Sequence, residues 1–133
     1  MRIAIFGLLL LAMATLLPAI HGDMKPAETQ SDSFEAFGDL SKAEGKARAQ
    51  EMAEQDFAAN HYRVLVAGMR RNQEAHDNYL KEKYGVTVVP IAGCVVSDGI
   101  IGAIEGYNST MKPLLNRKFG HDIFQEADEV NRK

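Results

Sequence analysis

Two short runs of β-branched and apolar residues, YRVLVA at 62–67 and VTVVPIA at 86–92, each stop at a glycine, Gly68 and Gly93. A helix-length segment lies between them. Two strands joined by a two-residue turn would form a hairpin. Strands separated by a dozen or more residues that fold as a helix pair in parallel instead, through a right-handed crossover. Residues 73–84 suit that crossover helix, with Asn72 placed to cap its start and Gly85 to close its end. Pro90 cannot donate to a ladder, so its strand is expected at an edge or a bulge, with exposed backbone that another chain could pair with.

The flanking segments read as helices. Residues 41–60 are charged and Ala-rich, with Ala49, Met52, Ala53 and Phe57 on one stripe. After the second strand, Ser97 or Asp98 caps a helix carrying Ile100, Ile104, Tyr107, Met111 and Leu114 on one face. Pro113 would kink that helix near Ser109, and Gly120 closes it. Asp122 and Gln125 have capping-box spacing for a last short helix with Phe124, Ala127 and Val130 inward. The expected fold is α/β: a small βαβα core around a two-stranded parallel sheet, with a preceding helix and a short C-terminal helix.

The chain has 133 residues, enough for one modest domain. Its 15 Lys+Arg against 18 Asp+Glu exclude a protein built to neutralise a nucleic-acid backbone. A single cysteine excludes an internal disulfide, a zinc knuckle and a CxxC redox pair together.

At the amino terminus, Arg2 precedes residues 3–17, which lack any charge, then Pro18, and the first acid is Asp23. This reads as a signal peptide over residues 1–22, which sends the chain to a periplasm or out of the cell. An uncleaved anchor is the alternative reading, at about 27 Å of helix over residues 3–20, just short of a hydrocarbon core. Residues 23–40 are polar and aperiodic, a flexible leader from which Phe34 and Phe37 would dock back, and residues 41–133 form the single domain.

The chemistry-bearing residues cluster after the strands. Cys94 precedes a helix N-terminus, where a thiolate is stabilised, although a lone cysteine between Gly93 and Val95 also suits a small buried hydrophobe. His61, His76 and His121 lack metal-ligand spacing, so neither a metal nor a cofactor is expected. If the strands are parallel, residues 68–72 and 93–98 share one rim at their carboxyl ends. Gly68, Arg70, Arg71, Asn72, Gly93, Ser97 and Asp98 are the candidate ligand-binding residues there, for a small anion such as a carboxylate or phosphate. Arg70 and Arg71 could equally be a solvated pair answering Glu74 and Asp77.

Gly99, Gly102 and Gly106 fall on one helical stripe, which calls for close packing against the sheet, a subunit contact or a bound ligand. Asn108, Ser109 and Thr110 form a glycosylation sequon. These features favour a binding or interaction module that self-associates. The other readings are a small thiol enzyme using Cys94 and a structural envelope protein.

Overall fold

The crossover dominates the architecture. The computed structural model describes residues 32–68, 70–93 and 95–132. The expected export segment, the first half of the expected leader and Cys94 lie outside the described residues. Strand β1 (Arg63–Ala67) leads through helix α3 (Glu74–Tyr84) into strand β2 (Thr87–Ala92), and the two strands pair in parallel as a two-stranded sheet. Arg63 lies opposite Thr87 and Val66 opposite Pro90, and the register slips by one residue before Ala67 meets Ala92. Pro90 thus sits at the irregularity, where a missing donor costs least.

Three more helices complete the body: α2 (Lys42–Ala58) before the sheet, then α4 (Asp98–Phe119) and α5 (Ile123–Asn131) after it. A single helical turn, α1 (Asp32–Glu35), precedes them. Phe34 and Phe37, within the stretch expected to be a leader, are both buried. Among the described residues, no helix is long and apolar enough to cross a membrane.

Local chemistry explains the boundaries. The Ser41 hydroxyl accepts from the Glu44 amide (3.3 Å), and the Glu44 carboxylate accepts from the Ser41 amide (3.0 Å), a reciprocal box that starts α2. Gly85 adopts the left-handed conformation (φ 69°), its N–H reaches Lys81 O at 3.0 Å, and the Val86 N–H reaches back to Leu80 O at 3.1 Å. That closes α3 with a left-handed glycine cap, whose N–H reaches the carbonyl four residues back. Its start differs from expectation: Gln73 holds the N-cap position, while Asn72 turns the chain with φ 57°. A short polar side chain tolerates that conformation, so Asn72 serves the turn in place of the cap.

Helix α4 packs on α2 and on β1, and α3 packs on α5 and β2. The most buried face of α4 carries Gly99, Gly102, Ala103, Gly106, Tyr107, Met111 and Leu115, while Leu114, Ile100 and Ile104 lie partly exposed. The glycine stripe meets α2 and the segment before it, so its partner is a helix where the sheet was expected. A β-carbon on Gly102 would stand 2.1 Å from the Lys42 carbonyl oxygen, one on Gly106 2.2 Å from that of Lys46, and one on Gly99 2.0 Å from that of Phe37. The facing side of α2 is equally bare, with Gly45, Ala49 and Ala53 buried. Helix α4 runs on through Pro113 to Phe119. In α5 the inward positions are Ile123 and Ala127, with Phe124 and Val130 only partly covered.

One side chain of α4 closes the sheet on its inner side. The Asn108 carboxamide accepts from the Leu65 amide (2.9 Å) and donates to the Leu65 carbonyl (2.7 Å). Leu65 turns these groups away from β2, and Asn108 replaces the strand that would otherwise pair there.

Candidate functional site

The carboxyl ends of the two strands adjoin, because Gly68, itself left-handed at φ 69°, donates its N–H to the carbonyl of Ala92 at 2.8 Å. The loops after β1 and β2 therefore start side by side. From that point they serve different faces of the sheet. A hollow of about 280 Å³ is lined by Val66, Gly68, Arg70, Asp77, Val88 and Pro90. A second, of about 370 Å³, is lined by Phe34, Glu35 and residues 89–93. Successive strand residues point to opposite faces, so Val88 belongs to the first hollow and Val89 and Ile91 to the second.

Arg70 is the basic residue that lines the first hollow and it is held in place. Its guanidinium donates to Asp77 Oδ1 at 2.8 Å and to Gln73 Oε1 at 3.0 Å, both on or at the start of α3. Asp77 Oδ1 also lies 2.8 Å from His76 Nδ1. Two of the five guanidinium N–H groups are thereby used, and a carboxylate or phosphate oxygen can approach the others. Asp77 fixes the direction of Arg70 and offsets part of its charge.

The other expected rim residues are distributed. Arg71 and Asn72 are exposed in the turn after Arg70. Gly93 lines the second hollow. The Ser97 hydroxyl accepts from the Ile100 amide at 3.4 Å and so caps α4, with Asp98 exposed as its first residue. The structure thus brings Gly68 and Arg70 into one hollow and leaves Arg71, Asn72, Gly93, Ser97 and Asp98 outside its lining. Cys94 lies outside the described residues. Among the described residues, no group of three His, Cys, Asp or Glu side chains converges as a metal site.

Two polar clusters were not legible in the sequence. Asp56 on α2 accepts from Arg63 Nε at 3.1 Å, from Arg63 Nη2 and from the Tyr107 hydroxyl, joining α2, β1 and α4. The Arg63 guanidinium also lies over the Phe34 and Tyr107 rings, 5.5 and 5.8 Å from their centroids. Burial works against its charge, but hydrogen bonds to Asp56 and Tyr107 outweigh that and raise its pKa. Burial, reinforced by the Asp56 bond, pushes the Tyr107 hydroxyl up as well. The second cluster centres on Glu126, which accepts from Lys83, Tyr79, Tyr84 and His121 and ties α5 to α3. The Lys83 bond is the chief cause that holds the Glu126 carboxyl well below the usual carboxylate range. Asp56 lies 7 positions from Arg63 and 51 from Tyr107, and Glu126 lies 42 to 47 positions from Tyr84, Lys83 and Tyr79, so only the fold assembles these clusters.

Comparison with protein-family models, with curated proteins and with solved structures gives no match. The functional reading therefore rests on this geometry.

Proposed function

We propose that the chain is an exported α/β binding module whose ligand is a small carboxylate with a short apolar body, held in the hollow beside Arg70. The observation that carries this reading is the oriented Arg70 guanidinium lining a hollow whose other walls include Val66, Val88 and Pro90. Arginine matches a carboxylate in two parallel hydrogen bonds, and the apolar walls suit a short hydrocarbon. Asp77 disfavours a dianionic phosphate more than a singly charged carboxylate, because like charges within a few ångströms repel. The apolar, charge-free residues 3–17 behind Arg2 support export.

Isovalerate, inorganic phosphate and chloride at matched ionic strength separate the outcomes in a thermal-shift titration. Isovalerate should raise the melting temperature of the wild type and of Arg71→Ala. Arg70→Ala should weaken binding by about tenfold or more, the loss of one charge-assisted pair. Asp77→Asn should tighten it. An equal response in wild type and Arg70→Ala would return Arg70 to a structural ion pair with Asp77.

A further inference from the structure

Among the described residues the sheet is closed on one side and open on the other. Among the described residues β1 is flanked by β2 and by the Asn108 carboxamide, whereas β2 has β1 alone as its strand neighbour. Thr87 donates its N–H toward β1, to Tyr62 O at 2.9 Å. Alternation along a parallel ladder then turns the N–H and C=O of Val88 outward, followed by the C=O of Pro90. No residue of β2 is buried, although its sequence, TVVPIA, is as apolar as strands that are covered on both faces. Just beyond it Val95 is 88% exposed.

We propose that β2 pairs antiparallel with β2 of a second copy of this chain, across a two-fold axis at Val88, to close a four-stranded sheet. Charge singles out a second copy as the occupant. Residues 84–97 make up 14 consecutive positions without an acidic or basic side chain, while no other such run within 32–132 exceeds 6. A two-fold axis sets each residue against its own image, so a charged edge would repel itself and this one does not. Edge strands that remain unpaired carry Lys, inward charges or bulges as protection; here only Pro90 and its register slip serve, and they lie past Val88. The axis at Val88 uses both outward groups of that residue twice, and Pro90 ends the ladder where its missing donor would begin to count. Because Asn108 blocks the other edge, each copy offers one edge, and assembly stops at two.

This assembly does not depend on the ligand reading. Sedimentation equilibrium of the purified, processed chain over a wide micromolar range tests it. A mass rising from monomer to dimer and no further is expected. Val88→Lys should weaken association by roughly tenfold or more, since the pairing would bury two facing ammonium groups. Val88→Thr, which keeps the branched shape and adds no charge, should retain it. Amide hydrogen exchange at Val88 should slow as the wild type associates, a measurement that does not require the Lys variant to fold. A wild type that stays monomeric, a mass beyond dimer, Val88→Lys associating like wild type, or Val88 exchange independent of concentration would each overturn the proposal.

Discussion

Glu126 shows how much a single carboxylate can organise. Two tyrosine hydroxyls, a lysine and a histidine converge on it from α3 and from the turn before α5. Its folded pKa is lowered, so its contribution is present above the unfolded value near ~4.3 and is lost as pH falls through the folded value. Lys83 is shifted the opposite way, chiefly by the same bond, so its contribution is complete below its unfolded value of about 10.4 and fades only at higher pH. Glu126→Gln should therefore melt below the wild type at neutral pH, with the gap narrowing below about pH 4. A gap that stays constant down to acid pH would mean that the cluster does not act through charge.

Among the elements, the α2–α4 contact depends on bare backbone more than on side chains. Gly106→Ala adds helix propensity worth about 1 kcal/mol, yet its methyl would meet the Lys46 carbonyl, a backbone group that cannot rotate aside. The helices must then separate, and overpacking of this kind costs about 1–3 kcal/mol. The net expectation is a loss of up to about 2 kcal/mol, read as a lower denaturation midpoint with unchanged slope. Gly120→Ala meets no such wall, and its cost comes from its left-handed backbone instead. Periodicity revealed the glycine stripe on α4 because spacing along one helix is visible in sequence. It could not name Gly45, Ala49 and Ala53 as the facing surface, since small residues on a distant helix leave no mark of whom they face. The Ser41/Glu44 box has Ser-x-x-Glu spacing, a signal that the reading of residues 41–60 left unused. The Asn72 cap misled because asparagine is equally at home in a left-handed turn.

Across the whole molecule, Arg63 links four elements: it bonds Asp56 of α2, lies in β1 and faces the rings of Phe34 in α1 and Tyr107 in α4. Its side chain is 11% exposed and that of Asp56 14%. Arg63→Ala would strand a nearly buried carboxylate, a change that costs about 3–5 kcal/mol. Chemical denaturation should show that loss, and Arg63→Ala combined with Asp56→Ala should recover part of it, because no unpaired charge then remains. Destabilisation in the double variant equal to the sum of the two singles would show that the residues act separately. The crossover and its parallel pairing were legible from two β-branched runs and the helix between them. The division of the rim was not, because a strand sends neighbouring side chains to opposite faces, and which face holds Arg70 depends on where α3 packs.

The Asn108 carboxamide gives the sequon a clock. Its nitrogen is the atom that would carry a sugar, and in the folded chain that nitrogen is committed to the carbonyl of Leu65. An enzyme can reach it only while α4 is still away from β1. In a secretory route that attaches glycans, occupancy at Asn108 would then measure how long the emerging chain waits before α4 docks. A chain caught early would carry a sugar where the edge of β1 must close, and so would be barred from the fold it was about to enter.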